Sequence, residues 1–510
     1  MLYFPLTSYL SRSPPPDGPL HSLDLAIVVV YVACTLGIGA WAARSQKSSG
    51  DYFLGARDLP ALAVLLSIVA TETSALTVIS IPGLGARADF TFLQVVLGYI
   101  VGRIAVAAWL LPGYFAKTQE TAYQRLESRF GPNTRRLAAA VFIVTRFLGD
   151  SVRVFAGAIP LALVTGWSAP GAILAMGGVT LVYTYLGGLK AVVWADVIQL
   201  FVYVAGGLGA LVIAAGLAGG FGPMLELAGR AGKLRVINPA LSFTATYTLL
   251  GGLLGGALLS AASHGTDQLI VQRLLATRSL RDAKWALIGS GVVVTVQFLL
   301  FLMVGIAIWA SGLAPDTVPG DQVFPRFIVQ HLPAGLAGLV IAGILAAAMS
   351  THSSAINAMA SSLTHDFYAA LSGRRDPAHL LRVGRLFSAL WGVALVAGAL
   401  GFYAYASGTD TPVVVLALSI ASVTYGALLG TYILAGRWPR ARSRDVLVAT
   451  AVTVVVMLGV VFAGRLAPLP GLTWLAPAAR LAWPWYVPLG TLLTLAVGAT
   501  TSMLPARAAA

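Results

Sequence analysis

Apolar stretches recur from one end of the chain to the other, separated by short polar segments. Each runs for roughly 18 to 30 residues, which as a helix is long enough to cross a hydrocarbon layer of about 30 Å. Helix is the predicted structure, because a lone strand in lipid would leave its backbone groups unpaired. The pattern therefore predicts an all-α polytopic membrane protein with about thirteen transmembrane helices, near residues 24–43, 61–86, 91–116, 137–163, 168–186, 190–218, 242–268, 283–310, 335–364, 379–403, 411–436, 444–464 and 483–504.

The composition agrees with this pattern. Of 510 residues, 58% are hydrophobic and only 10% are charged, and the mean hydropathy is +0.83, which is more apolar than a soluble core requires. We expect one transmembrane domain at 24–504, an extracellular lead-in at 1–23 and a short cytoplasmic tail at 505–510. The single cysteine, Cys34, excludes an intrachain disulfide and a cysteine-cluster metal site.

The formal net charge of +14 would suggest a nucleic-acid partner if the protein were soluble. Most of the basic residues, however, lie in alternate loops, around residues 44–57, 117–136, 273–284, 374–385 and 437–444. By the positive-inside rule these loops face the cytoplasm, which predicts a plasma or inner membrane location with the N-terminus outside and the C-terminus inside. No cytoplasmic segment is long enough for a nucleic-acid-binding domain, so we expect no nucleic-acid partner.

Charged residues inside the predicted spans are few, and each is costly unless it has a partner or faces a cavity. Arg146, Asp150 and Arg153 are spaced i, i+4 and i, i+3 on one helix face. They form either a self-contained ion-pair ladder or part of a solute site. The surplus positive charge leaves one guanidinium without a partner among the three, and that partner would be Glu72 or the carboxylate of a bound solute. The others are Glu72, Arg103 and Asp196.

Glu72 lies in the polar run "TETS", which is followed by "IPG" at 81–83, as in a broken membrane helix. It is either a structural partner of an arginine or a residue of a binding cavity, where burial could also make it a proton site. His264, near the inner end of a later span, has two interpretations as well. It is a satisfied polar group or a residue of the cavity wall.

Hydroxyl groups crowd the stretch "AAAMSTHSSAINAMASS" at 346–362. On a helix, Ala347, Ser350, Thr351 and Ser354 form one stripe, with Ser353 beside it. One such hydroxyl would bond its own helix, but four within five residues favour a site for a hard monovalent cation such as Na⁺. Zn²⁺ or Ca²⁺ would require Cys and His clusters or several carboxylates.

Five strings along the chain are informative together: "YFLGARDLP", "TYLGGLKAVVWADVIQ", "GTDQLIVQRLLA", "LPAGLAGLVIAGILAAAMSTHSSAINAMASSLTHDFY" and "SVTYGALLGTYILAGR". They resemble the sodium/solute symporter family, which includes sodium-coupled sugar, proline, pantothenate, iodide, monocarboxylate and sialic-acid transporters. The resemblance covers about 24–436 and implies a leucine-transporter-type inverted repeat of five plus five helices, with core repeats at about 61–218 and 242–436. One helix would precede the repeats and two would follow them.

The resemblance also implies two sodium sites. The family's common site would use backbone carbonyls and two hydroxyls, at Ala70, Thr73, Ala347, Ser350 and Thr351. The further site of some members would use one carboxylate and three hydroxyls, at Asp196, Ser350, Ser353 and Ser354.

The predicted solute wall differs from that of the sugar transporters, because Ser260, Ser263 and His264 stand where those proteins carry an Asn and a Tyr-Trp pair. Glu72 stands where proline transporters carry an acid, and Thr77 would face the same cavity. Arg146 or Arg153 resembles the arginine that holds the carboxylate in sialic-acid transporters.

The sequence therefore predicts a Na⁺-coupled secondary active symporter that imports a small polar solute by alternating access. The solute would bear a carboxylate, as an organic acid or an amino acid does. The alternatives are a proton-coupled or a sugar or neutral-solute symporter on the same fold, and a non-transporting membrane sensor. No nucleophile–base pair for an enzyme is evident. Whether the protein is a monomer or a weak oligomer stays open.

Overall fold

The computed structural model describes residues 21–407 and 413–504, which form helices joined by turns and loops. The first half begins with a long helix, α1, and contains the following elements: α1 (Ser22–Ala43), α2 (Ser49–Leu54), α3 (Ala61–Glu72), α4 (Ala75–Arg87), α5 (Leu93–Ala105), α6 (Leu111–Phe115), α7 (Gln124–Phe130), α8 (Pro132–Thr165), α9 (Ala169–Leu217) and α10 (Phe221–Arg230). A π-helical turn, Val106–Leu110, joins α5 to α6.

The second half has a similar sequence of helices: α11 (Leu249–Gly265), α12 (Gln268–Leu275), α13 (Leu280–Ala310), α14 (Gly320–His331), α15 (Leu336–Ser362), α16 (Ala370–Ser372), α17 (Pro377–Ser407), α18 (Val413–Arg437), α19 (Ser443–Val461), α20 (Ala463–Leu466) and α21 (Tyr486–Met503). A π-helical segment, Leu363–Ala369, continues α15 into α16.

The predicted spans coincide with these helices, with two differences. The spans predicted at 168–186 and 190–218 follow each other without a loop in α9, where Gly188 has φ 54° and ψ −150° and turns the chain. The helix predicted at 242–268 begins only at Leu249, because Thr248 caps it by accepting a hydrogen bond from the N–H of Gly251. The start of the span at 411–436, residues 1–20 of the lead-in and the tail at 505–510 lie outside the described residues.

Two helices are broken at corresponding places in the two halves. α3 and α4 meet at a bend of 68°, where Thr73 and Ser74 have extended backbone angles. α11 and α12 are separated by Thr266 and Asp267, and the Asp267 carboxylate caps α12 by accepting from the N–H of Leu269 at 2.9 Å. The sequence predicted the first break at the "TETS" run, whereas Pro82 of the "IPG" string lies within α4.

Within the described ranges, eight helices are long and apolar enough to cross a membrane, and the bent pair α3–α4 adds a ninth span. This pattern is that of a multi-pass membrane protein. The count of about thirteen stays a prediction, because α11 is only 17 residues long and α8 carries the charges of its central turns.

The hydroxyl-rich helix α15 lies at the centre of the bundle. In its apolar 18-residue stretch, 94% of the residues are buried. It packs against α9, α8, α1 and α17 and against both parts of the broken helix α3–α4. Asp24 of α1 fixes the N-terminal end of α15, because its Oδ1 accepts hydrogen bonds from the N–H groups of Gly335 and Gly338, both at 2.7 Å.

Candidate functional site

The end of α3 supplies backbone oxygens to the buried centre. Helical bonding there stops at the bond from Thr73 N–H to the Val69 carbonyl, 3.1 Å long, and the last carbonyls of a helix have no partner in the following turn. Ala70 and Thr73, whose carbonyls the sequence assigned to a sodium site, lie in this last turn and are 0% and 1% exposed. A broken membrane helix offers such oxygens to a small cation.

The facing wall is α15, on which Ser350 and Thr351 are both buried. The Thr351 hydroxyl donates to the Ala347 carbonyl at 3.2 Å. The helices α3 and α15 are joined directly by a 3.1 Å hydrogen bond between the hydroxyls of Thr71 and Ser354. The structure thus brings together the two elements that carry the five residues of the predicted common site.

Asp196 of α9 is fully buried and lies at the centre of a second polar cluster. Its Oδ1 accepts from the Ser350 hydroxyl at 2.6 Å, and its Oδ2 accepts from the Ser67 hydroxyl at 2.5 Å. Ser353 instead donates to the Ser350 carbonyl at 3.0 Å. Ser350 therefore belongs to the wall of both predicted sodium sites.

Arg273 of α12 completes this cluster. The distribution of basic residues predicts a cytoplasmic loop position for Arg273, but its side chain is buried and 0% exposed. Its Nη2 lies 3.2 Å from Oδ2 of Asp196 and also donates to the Ser354 hydroxyl. The placement was wrong because a basic residue after an apolar run is typical of a loop, whereas "QLIVQRLL" forms a helix whose residues are all buried.

The charges of α8 are also paired more completely than their spacing predicted. Arg146 donates through Nη2 to Oδ2 of Asp267 at 2.5 Å and to the Tyr425 hydroxyl at 2.9 Å. Arg153 donates to Oδ1 of Asp150 at 2.7 Å. Asp267 is therefore the partner that neutralises the surplus charge. The spacing of charges along α8 does not predict it, because Asp267 lies more than a hundred residues away in the sequence.

Glu72, at the end of α3, accepts a hydrogen bond from the guanidinium of Arg103. Arg103 is fully buried and also donates to the Ser290 hydroxyl at 2.6 Å. The side chain of Glu72 keeps 18% exposure, so part of this side chain is accessible. Of the two interpretations from sequence, the pairing with an arginine is present, and the remaining exposure is compatible with a cavity wall.

The three polar residues of α11 lie beside Glu72. His264 places Nε2 at 3.7 Å from Oε2 of Glu72, and its Nδ1 lies 2.8 Å from the Ser263 hydroxyl. Ser260 is 1% exposed, and among the described residues its hydroxyl has no hydrogen-bond partner. Thr77 of α4 is half-buried, with its hydroxyl 3.4 Å from that of Ser74.

Polar contacts close one end of the bundle, below these sites. Arg57 donates to the carbonyls of Leu275, at 3.1 Å, and Gln119. Glu120 lies 2.7 Å from Nδ1 of His365. Burial raises the pKa of Glu120, but the contacts with His365 and Arg57 outweigh burial and hold that pKa below its ordinary value.

A model of the sodium:solute symporter family matches residues 52–462. The sodium/sialic acid symporter NanT of Aliivibrio fischeri is 28% identical over 94% of this chain and 93% of its own length. The human sodium/iodide cotransporter is 28% identical over 87% of this chain and 70% of its own length. The sodium/glucose cotransporter of Vibrio parahaemolyticus is also 28% identical, over 72% of each chain.

Solved structures share the fold. A Na⁺-coupled sialic acid symporter in a substrate-bound, outward-open state gives a TM-score of 0.83 at 24% identity, over 95% of this chain and 98% of that one. MhsT in complex with L-phenylalanine gives a TM-score of 0.50 at 17% identity, over 87% and 98%. The predicted all-helical, leucine-transporter-type fold is confirmed.

Proposed function

This chain belongs to the sodium:solute symporter family, and on that premise we propose that it imports a small carboxylate-bearing solute together with Na⁺ by alternating access. Coupling of solute transport to Na⁺ is the activity of the family, so the predicted dependence on Na⁺ is confirmed. The proposal concerns the sites, the class of solute and the direction of transport. It places the N-terminus outside and the C-terminus in the cytoplasm, as the distribution of basic residues favours.

The observation that carries the sodium part is the junction of α3 and α15. The unpaired carbonyls at the end of α3 and the hydroxyls of Ser350 and Thr351 come from two elements joined by the bond between Thr71 and Ser354. These oxygens are neutral, so a monovalent cation among them needs no buried carboxylate of its own. The set Ala70, Thr73, Ala347, Ser350 and Thr351 is the proposed common site.

The second proposed site uses Asp196 with Ser350, Ser353 and Ser354. Here Arg273 already balances the carboxylate through its contact at 3.2 Å. A Na⁺ at this place would therefore share Asp196 with the guanidinium, and its occupancy depends on how far the two cations repel each other. This site is consequently expected to bind Na⁺ more weakly than the common site.

The solute part rests on the position of Arg153. Gly157, one turn further along the same face of α8, lies beside the start of α4, and a Cβ built on it would be 3.5 Å from that of Ala75 and 2.7 Å from that of Ala348. The face of α8 that carries Arg153 therefore faces the break between α3 and α4. Arg153 keeps 21% side-chain exposure, and its one hydrogen bond to the described residues, from Nη1 to Asp150, leaves donors for a carboxylate.

The charge balance of the site supports an anionic solute. Glu72 pairs with Arg103, Asp150 with Arg153, and both Asp267 and Asp196 with arginines of their own. Each of these buried pairs is formally neutral, so a Na⁺ that enters adds an uncompensated charge. A solute carboxylate would cancel that charge, whereas a neutral sugar would not.

The partly exposed side chain of Glu72 favours a second form of the solute, a zwitterionic amino acid. Its ammonium group would meet Glu72 and Nε2 of His264, which both can accept hydrogen bonds. The walls of α11 and α4, with Ser260, Ser263 and Thr77, would then contact the rest of the solute.

The proposal is tested with purified protein in liposomes under an inward Na⁺ gradient. Solutes are first screened by the shift in melting temperature that organic acids, amino acids and sugars produce with and without Na⁺, and those that bind are assayed for uptake. The double variant Ser350→Ala, Thr351→Ala should fold and lose Na⁺-dependent uptake. Ser361→Ala on the same helix, whose one hydrogen bond is a 3.4 Å contact from Gln268, is the matched control.

Two results would contradict the proposal. Uptake by the double variant with an unchanged Na⁺ dependence would show that the sodium site is elsewhere. A melting-temperature shift with neutral sugars and none with any acid would show that the solute class is wrong.

A further inference from the structure

The hydroxyl of Thr73 is held from two sides at the break of α3. It donates to the Val69 carbonyl at 2.9 Å and accepts a hydrogen bond from Nε2 of Gln297 at 2.7 Å. Because the one hydrogen of the hydroxyl is used on Val69, the second partner has to be a donor, which fixes the orientation of the Gln297 amide. Thr73 is the residue at which the backbone leaves the helix, with φ −85° and ψ 104°.

Gln297 extends this contact to a third helix. Its Oε1 accepts from the Tyr203 hydroxyl at 3.0 Å, so Tyr203 of α9, Gln297 of α13 and Thr73 form a continuous chain of hydrogen bonds. The backbone of Tyr203 in turn lies against α15, where a Cβ built on Gly343 would be 2.8 Å from the Tyr203 Cα. The hydrogen bonds therefore link the broken helix to α9, and the backbone of α9 packs against the helix that carries Ser350 and Thr351.

The surroundings of Gln297 make its amide costly unless it is bonded. Gln297 is 3% exposed, and its neighbours on the buried face of α13 include Val294, Phe298 and Phe301. A buried amide donor or acceptor without a hydrogen bond destabilises the folded protein. Here both the oxygen and the nitrogen of the Gln297 amide are hydrogen-bonded. A leucine of similar volume would fill the same space, so packing alone does not account for the amide.

We propose that Gln297, held by Tyr203, is a positioning residue for Na⁺: through the Thr73 hydroxyl it fixes the peptide whose carbonyl belongs to the common sodium site. The inference rests on the proposed function, because it assumes that this carbonyl binds Na⁺. Gln297 itself touches no ion. Its loss leaves the Thr73 hydroxyl bonded only to the Val69 carbonyl, so the adjoining peptide is less well fixed before Na⁺ binds.

The test compares Gln297→Leu and Thr73→Val with wild-type protein in the same liposome assay. Both variants should raise the Na⁺ concentration for half-maximal uptake about tenfold, as a positioning defect of ordinary size would. At saturating Na⁺ the KM for solute should not change. Tyr203→Phe should give a smaller shift, because the amide keeps its bond to Thr73, and Thr73→Ser should recover part of what Thr73→Val loses.

Thr295→Val is the matched control, because this hydroxyl lies two residues from Gln297 and bonds only its own helix, at the Gly291 carbonyl. A second readout is the rise in melting temperature on adding Na⁺ in place of choline, which should shrink in Gln297→Leu but not in Thr295→Val. This readout separates positioning from general stability, since a purely structural bond would lower the melting temperature equally in both salts.

The inference is overturned if Gln297→Leu and Thr73→Val keep the wild-type Na⁺ dependence while the double variant at Ser350 and Thr351 loses it. In that case the site stands and only the positioning role fails. If the double variant also keeps its Na⁺ dependence, the sodium site and this inference fail together. Should Gln297→Leu not fold, the pair Thr73→Val and Thr73→Ser tests the same hydrogen bond.

Discussion

Arg146 and Asp267 form a buried ion pair, in which Nη2 of the arginine donates to Oδ2 of the aspartate at 2.5 Å and Nε donates to the same oxygen at 3.1 Å. The pair joins the middle of α8 to the break between α11 and α12, and Tyr425 of α18 donates to the same carboxylate oxygen at 3.0 Å. The donors of Arg146 are thus engaged inside the protein. Arg153, two turns along the same helix, is the guanidinium of this ladder that keeps exposure.

The two arginines should accordingly respond differently to substitution. Arg153→Gln should lower the affinity for a carboxylate solute by about ten- to a hundredfold, because a charge-assisted bond contributes roughly 1.5 to 3 kcal/mol. The Na⁺ concentration for half-maximal uptake should stay close to that of the wild type. The measurement is solute KM at fixed, saturating Na⁺, and normal uptake of acids by Arg153→Gln would assign the ladder a structural role only.

Arg146→Gln should act on stability instead. It leaves the Asp267 carboxylate buried without its cation, and breaking a buried pair in this way costs about 3 to 5 kcal/mol. The expected result is a marked fall in melting temperature in the presence and in the absence of solute. If Arg146→Gln were as stable as the wild type but could not transport, Arg146 rather than Arg153 would be the carboxylate ligand.

The second sodium site is best tested at Ser353. Replacing Asp196 would also strip Arg273 of its partner, whereas Ser353→Ala removes one neutral oxygen, its hydrogen bond to the Ser350 carbonyl and its contact with the Tyr183 hydroxyl. If the wild type binds two Na⁺, its Hill coefficient exceeds one, and in Ser353→Ala it should fall to about one. A wild-type coefficient of one would make the Asp196 cluster a structural ion pair.

The sequence was most informative where a local pattern carries the signal. The "TETS" run marked the break after α3 within one or two residues, because polar residues in an apolar helix need an irregular backbone or a cavity. The hydroxyl stripe at 350–354 was visible for the same reason. Both features depend on neighbours in the chain.

Pairings across the fold were not visible in this way. Asp267 follows the "HGT" string and caps α12, but its contact with Arg146 is set by how α8 packs against the second break. Arg273 looked like a loop residue because hydropathy cannot tell a buried cation with a carboxylate partner from a solvated one. Such contacts depend on tertiary packing.

Close backbone packing should make α4 sensitive to added volume. A Cβ built on Gly305 of α13 would be 1.9 Å from the carbonyl oxygen of Pro82, so Gly305→Ala forces α13 and α4 apart and should cost about 1 to 3 kcal/mol. Gly178→Ala in α9 is the matched control, because no atom lies within 4 Å of its added Cβ. Melting temperatures of the two variants give the comparison, and equal values would mean that the α4–α13 contact adapts without cost.

Glu72→Gln should distinguish an amino acid from a simple organic acid. The glutamine keeps an acceptor for Arg103 but removes the negative charge, so the wall around Arg103 and His264 gains one positive charge relative to the wild type. An ammonium group would lose its counter-ion and meet that positive charge, and we expect the affinity for a zwitterion to fall by at least tenfold. A monocarboxylate without an ammonium group should bind as well as before or better, because its negative charge is attracted to this wall.

The measurement is the KM for each solute at saturating Na⁺, with the Na⁺ dependence of uptake as the internal control. Equal loss for both solute types would show that Glu72 holds Arg103 in place and does not contact the solute.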